Sequence, residues 1–220
     1  GARDLPEGEA HHVFNVLRGR EGDPVEVVDG AGRLFAAELL GGRKAAVLDE
    51  LAVAGSEEVE VALYQAVPKG GRMDLVVEKA TEVGVSRIVP LVAERGVVNP
   101  REGKVGRWRR VAEAAARQSL RLRVPEVGEP VRFEAAVREV GEAGVLLHNA
   151  PWLEAVEGMV GSPVGLFVGP EGGWSEAELR LAEEEGLVFA GLGPYRLRSE
   201  TAGIVAVARA RAALESRVRS

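Results

Sequence analysis

Hydrophobic and polar positions change rhythm once along this chain. From Glu9 to Arg18, the apolar residues Val13, Val16 and Leu17 recur at helical spacing, which predicts a short helix. β-like runs follow at Pro24–Asp29, Arg33–Leu40 and Ala45–Leu51, separated by Gly30, Gly32, Gly41 and Gly42. Short strands punctuated by glycine predict a small barrel or meander. The small, polar stretch Ala54–Glu58 reads as a linker.

Beyond it, strand and helix patterns alternate. Val59–Val67 reads as a strand, Met73–Val83 as a helix closed by Gly84, and Arg87–Val92 as a strand. Val105–Ser119 reads as an arginine-rich helix. Gly144–His148, Val164–Val168 and Val188–Leu192 are short apolar strands between helical segments, and a last helix runs from Ser199 to Arg217. This alternation predicts an α/β region whose mostly parallel sheet is covered on both faces.

Composition narrows the class. Of 220 residues, 46% are apolar and 28% charged, which marks a globular chain. No apolar run reaches the roughly 18 residues of a membrane span, and no signal pattern opens the sequence. The absence of cysteine excludes disulfides, thiol catalysis and cysteine-ligated zinc, and fits a cytoplasmic setting. His11, His12 and His148 are the only imidazoles, with no metal-ligand spacing around them, so no metal site is expected. The net charge of −6 hides an asymmetry: residues 69–125 carry 13 basic and 6 acidic side chains, a local charge of +7. Such a block forms either a phosphate-facing patch or a solvated helix face.

Two segments carry chemistry. Val164–Val168 leads into Gly169-Pro170-Glu171-Gly172-Gly173-Trp174-Ser175, a glycine-rich loop, and Ser175 with Glu178 has the spacing of a capping box opening a helix. Ligands in open parallel sheets sit beyond the carboxyl ends of strands, where glycines let them approach the backbone. The spacing is not that of a phosphate loop, and no GxGxxG occurs. The second segment, Leu192-Gly193-Pro194-Tyr195-Arg196-Leu197-Arg198-Ser199-Glu200-Thr201-Ala202, also leaves a strand and opens a helix. Arginines there oppose the helix dipole, a local cost that points to function.

Together these segments resemble the paired signature of the RsmE family, SPOUT-class enzymes that methylate N3 of a uridine in 16S ribosomal RNA. The resemblance spans nearly the whole chain. Lys69-Gly70-Gly71-Arg72-Met73 and Lys79-Ala80-Thr81-Glu82-Val83-Gly84-Val85 resemble the family's first helix, and Glu94-Arg95 with Val97-Val98 its next strand end. Gln118-Ser119-Leu120-Arg121 and Val124-Pro125-Glu126-Val127 resemble the central helix and its exit, and His11-His12, Val16-Leu17-Arg18 and Gly22-Asp23 the N-terminal PUA-like barrel. The sequence departs from the family where Tyr195-Arg196-Leu197-Arg198 replaces Arg-Ile-Leu-Arg. It departs again where Gly71 replaces an acid, Leu120 a glycine and Gly96 a serine.

The resemblance implies a PUA-like β-barrel over residues 1–55, its start falling within the first strand, and a trefoil-knotted α/β methyltransferase domain over residues 59–220. It also implies S-adenosylmethionine (SAM) as cofactor, held by Leu147, His148 and Asn149, by Gly169, Pro170, Glu171, Gly172 and Gly173, and by Leu192, Gly193, Tyr195, Leu197 and Arg198. Arg198 is the expected stabiliser of the uracil anion, with Glu200 or Glu171 as proton acceptor; each carboxylate could equally cap a helix. Arg18, Lys69, Arg72, Arg95, Arg109, Arg110, Gln118 and Arg121 are the expected RNA contacts, in a homodimer acting on 16S rRNA or the small ribosomal subunit. Trp108 is read as core, and His11 and His12 as surface. Alternatives are a ribose 2′-O-methyltransferase, a non-catalytic assembly factor and a generic nucleotide-binding enzyme.

Overall fold

The computed structural model describes residues 1–53, 59–96, 103–150 and 153–218. The linker expected at Ala54–Glu58 and the Val97-Val98 pair lie outside the described residues. The chain forms two compact units, Gly1–Ser56 with Arg121–Arg123, and Glu57–Leu120 with Val124–Ser220.

In the first unit, β2 (Pro24–Val28), β3 (Arg33–Leu40) and β4 (Lys44–Val53) form an antiparallel meander, and β1 (Ala2–Asp4) pairs with β4. The β2–β3 turn is built by Asp29, whose Oδ1 accepts from the backbone N–H of Ala31 at 2.7 Å and of Arg33 at 3.0 Å. The helix expected over Glu9–Arg18 begins earlier and ends sooner. It comprises α1 (Glu7–His11) and a π-helical turn (His12–Val16), and Arg18 lies beyond it at φ 58°. The stripe read from Val16 and Leu17 does not face a core, for both side chains are exposed. His11 and His12 are exposed as well.

The second unit is an α/β sandwich. Its sheet runs β11 (Val188–Ala190), β9 (Gly144–Leu147), β10 (Val164–Val168), β5 (Val61–Ala66), β6 (Arg87–Val92) and β7 (Glu126–Val127), with β8 (Val131–Arg132) also on β6. Every pairing is parallel. The central strands β9 and β10 are buried at every position, which is why they read as continuous apolar runs.

One face is covered by α2 (Met73–Glu82), α3 (Lys104–Gln118), α5 (Val156–Met159) and α7 (Ser199–Val218), around a core that includes Leu63, Val76, Trp108, Leu166 and Val207. Trp108 is therefore core, as its place on an amphipathic helix implied. The other face carries α4 (Phe133–Val140) and α6 (Glu176–Glu184), where Phe133 and Phe167 pack edge to face and Tyr64 stacks on Phe167 at 4.6 Å.

The connections decide where the ligand-binding loops go. Leaving β11, Gly191 donates to Glu154 O at 2.8 Å and accepts from Val156 N at 3.2 Å, so the chain runs beside the loop into α5 before it enters α7. In the sheet, β10 lies between β5 and β9. The carboxyl ends of β9, β10 and β11 are neighbours in a parallel sheet. Their exits must therefore converge.

Candidate active site

A cavity of about 580 Å³ opens where those exits meet. It is lined by Leu147, His148 and Asn149, by Gly169, Pro170, Glu171 and Gly173, and by Leu192, Gly193, Tyr195, Leu197 and Arg198. Of the residues expected to hold the cofactor, Gly172 is the exception. A Cβ at that position would meet Arg95 rather than the cavity. Val168, Trp174, Arg196, Ser199 and Ala202 line the cavity too. All five lie inside or beside the motifs read from the sequence, but nothing in the pattern separated them from their neighbours.

The glycine loop is held rigidly. Trp174 is buried, its Nε1 donates to Leu147 O at 3.1 Å, and its ring lies 4.9 Å from that of Phe133. A Cβ on Gly169 would sit 3.0 Å from the indole, so a side chain there would require the buried ring to give way by a few tenths of an ångström. The capping box of α6 forms as its spacing implied: Ser175 Oγ accepts from Glu178 N at 3.2 Å, and Glu178 Oε2 accepts from Ser175 N at 2.8 Å. Glu178 Oε1 also accepts from Glu94 N, and Ser175 Oγ donates to Glu94 Oε2 at 2.7 Å. This locks the end of β6 onto the start of α6. Arg95 completes the clamp, donating to Trp174 O at 3.2 Å and Gly172 O at 3.4 Å.

Arg72 gathers the two carboxylates of the site. Its Nε lies 3.4 Å from Glu200 Oε1 and its Nη1 3.8 Å from Glu171 Oε1, and Lys69 N donates to the same Glu171 oxygen at 3.1 Å. Lys69, Arg72 and Arg95, expected as RNA contacts, thus hold Glu171 and Trp174 of the cavity lining from behind without lining it themselves. Glu171 lines the cavity, whereas Glu200 is only 5% exposed, lies behind the lining, and leaves its Oε2 without a partner among the described residues. Arg198 is exposed at the mouth, next to Arg196 and to Tyr195, which is 82% exposed.

Arg109, Arg110 and Gln118, in the same unit as the cavity, are not part of its lining. Arg109 is tied to Val127 O at 3.0 Å and Glu129 at 2.9 Å, while Arg110 and Gln118 are exposed on α3. Arg18 and Arg121 belong to the first unit. Among the described residues, no group of three or more His, Asp or Glu side chains could hold a metal ion, and no helix is long and apolar enough to cross a membrane.

Comparison with known proteins adds to this geometry. Residues 55–211 match an RNA methyltransferase domain, and residues 5–51 an RNA methyltransferase PUA domain. The ribosomal RNA small subunit methyltransferase E of Synechocystis sp. is 34% identical over 96% of this chain and 73% of its own length. The chain belongs to the ribosomal RNA small subunit methyltransferase E family.

Solved structures agree. The family member from Neisseria gonorrhoeae, bound to S-adenosyl methionine, superposes with a TM-score of 0.84 at 29% identity, covering 96% of this chain and 92% of that one. A methyltransferase from Legionella pneumophila, in complex with SAM, gives a TM-score of 0.84 at 31% identity over 97% and 92% of the two chains. At one departure from the pattern expected of the family, Leu120 in place of a glycine, the residue holds φ at 57° and is 85% exposed. That left-handed conformation suits glycine and strains leucine.

Proposed function

We propose that this protein methylates N3 of a uridine in 16S ribosomal RNA of the small subunit, with SAM as methyl donor. The observation that carries the reading is the cavity built from three strand exits, walled by glycines and open beside Arg196 and Arg198. Its size falls within the usual range for small-molecule sites. The contact of Gly169 with Trp174 and the positive φ of Gly173 (70°) and Gly193 (107°) leave backbone rather than side chains to face a ligand. These features fit a nucleoside cofactor held by main-chain groups. When bound, SAM supplies an activated methyl group, so the protein must position uridine N3 and remove its proton.

Arg198, exposed at the mouth, is suited to face the uracil edge and stabilise the negative charge that spreads over O2 and O4 as N3 loses its proton. Of the two carboxylates left open by the sequence, Glu171 is the one that lines the cavity, and we assign it as proton acceptor. Glu200 is then the buried anchor of Arg72, which steadies Glu171 in turn. Arg110, Gln118, Arg18 and Arg121 are assigned to RNA contact, with residues 1–55 as a PUA-like RNA-binding domain and residues 59–220 as the catalytic domain. A homodimer is part of the reading, as is a cytoplasmic location, where ribosomal RNA is assembled into subunits.

The test is incubation of the protein with methyl-labelled SAM and either naked 16S rRNA or small subunits, followed by mapping. Methylation at N3 blocks the base-pairing edge, so reverse transcription stops one nucleotide short of the modified uridine. Label on a ribose hydroxyl would favour the 2′-O-methyltransferase alternative, and no label on either substrate would sink the reading.

A further inference from the structure

A buried polar chain that plays no part in the reaction proposed above joins β5 to the glycine loop. Gln65 interrupts the apolar strand Val61–Ala66 and is 0% exposed. Its Nε2 donates to Ala66 O at 3.0 Å and to Ser199 Oγ at 2.9 Å. Ser199 Oγ donates onward to Gly169 O at 2.6 Å. The two ends of this relay are close in the sheet, because Gln65 pairs with Val168, the residue before Gly169. Both Ser199 and Gly169 line the cavity.

The direction of the relay follows from proton counting. A serine hydroxyl has one proton; it can give that proton to the Gly169 carbonyl only if its other neighbour is a donor. The amide NH₂ of Gln65 is that donor, and both its protons are used. Turning the amide over would set an oxygen against Ala66 O. The cost of this orientation is visible at the other end, where Gln65 Oε1 has no partner among the described residues. Space for that oxygen exists because residue 203 of α7 is glycine, where a Cβ would overlap it. A glycine inside a helix and an orphan buried oxygen are both unfavourable, and they are retained together around one amide.

We infer that Gln65 is a positioning residue of the cofactor cavity: through the Ser199 hydroxyl it holds the Gly169 carbonyl, and with it the start of the glycine loop, in the geometry that receives SAM. The inference rests on the reading of the cavity as a SAM site. Gln65→Glu keeps the shape but replaces the donor with an acceptor, so the Ser199 proton turns to the new carboxylate and Gly169 O loses its partner.

Calorimetric titration of SAM into the purified protein tests this without RNA. The expected result is that Gln65→Glu and Ser199→Ala each raise the Kd by about tenfold, the order set by one lost buried hydrogen bond. The double variant should be no worse than either single one, because both break the same chain. Ser199→Thr, which keeps the hydroxyl, should lose less affinity than Ser199→Ala. Acidification should return Gln65→Glu toward wild-type affinity as the introduced carboxyl gains a proton and becomes a donor. Wild-type affinity in Gln65→Glu, additive losses in the double variant, or losses that merely follow a fall in Tm would overturn the inference. A wild-type protein that takes up no SAM would instead overturn the reading of the cavity, and the inference with it.

Discussion

Replacing Arg198 with alanine separates catalysis from architecture at this site. A basic residue between two carboxylate-bearing segments could hold the fold through an ion pair, but Glu171 and Glu200 are both engaged by Arg72. No ion pair of Arg198 is present among the described residues. Its structural contribution is its backbone carbonyl, which accepts from Ala202 N at 2.8 Å and survives any side-chain substitution. An exposed side chain of this kind alters stability by about 0.5 kcal/mol or less. If it donates to the uracil anion, as proposed, it is worth far more: its loss should slow methylation roughly 100-fold, about 2.7 kcal/mol of barrier.

Arg72→Ala should behave in the opposite way. It leaves Glu200 buried without its cation, a change that costs about 3–5 kcal/mol for a fully buried pair. Because the Arg72 side chain is 42% exposed and partly screened by water, the expected loss is nearer about 1–2 kcal/mol. The assay measures single-turnover methylation, Tm and SAM affinity on both variants. Arg198→Ala should keep its Tm and its SAM affinity and regain part of its rate at high pH, where solvent removes the N3 proton. Arg198→Lys should recover only a fraction of the rate, lacking the planar fork. A fully active Arg198→Ala protein, or one that loses Tm and SAM affinity together, would refute the reasoning.

Other substitutions probe the frame around the site. Gly169→Ala pushes on an indole already boxed by Phe133 and tied to Leu147 O, so stability should fall by about 1–3 kcal/mol and SAM affinity with it; unchanged melting and binding would show that Trp174 yields freely. Leu120→Gly relieves a left-handed leucine and loses no packing, and should raise stability by about 0.5 kcal/mol once the added freedom of the unfolded chain is subtracted. Burial works to raise the Glu157 carboxyl, but its 2.5 Å hydrogen bond from Arg209, with backbone and charge contributions, brings the net shift below the ordinary glutamate value. The α5–α7 clip therefore contributes fully above the ordinary carboxylate range and is lost as pH falls through the lowered value; Glu157→Gln should cost about 0.5–1 kcal/mol at neutral pH and flatten that acid limb in pH-dependent melting. Arg110→Glu should weaken binding to many RNAs alike and reduce the salt slope by about one, with Tm unchanged, whereas the same change at Arg109 also breaks its bonds to Val127 and Glu129.

Much of this protein was legible in one dimension, because its strongest signals are local. The strands Arg33–Leu40, Arg87–Val92 and Val164–Val168 stand where their apolar runs placed them, since a buried parallel or meander strand is written as a continuous hydrophobic segment. The capping box of Ser175 and Glu178 and the positive φ of Gly84 follow from side-chain spacing and backbone sterics alone. The short elements β7, β8 and α5 carry too few residues for any period to show. The π-helical turn at His12–Val16 depends on hydrogen bonds that helical spacing does not encode.

The site divides along the same line. The glycine loop and the Leu192–Ala202 segment were visible because a ligand held by backbone requires glycines at particular positions. Which carboxylate faces the cavity was not visible. Glu171 and Glu200 are alike in sequence, and only the packing of α7 buries one while the exit of β10 exposes the other. Nor could sequence show that Arg72 and Arg95 face the glycine loop, or that Gln65 reaches Ser199 across 134 positions. Those pairings arise because a parallel sheet brings together strand ends that lie far apart in the chain, and the partner of a buried polar group is then set by strand order.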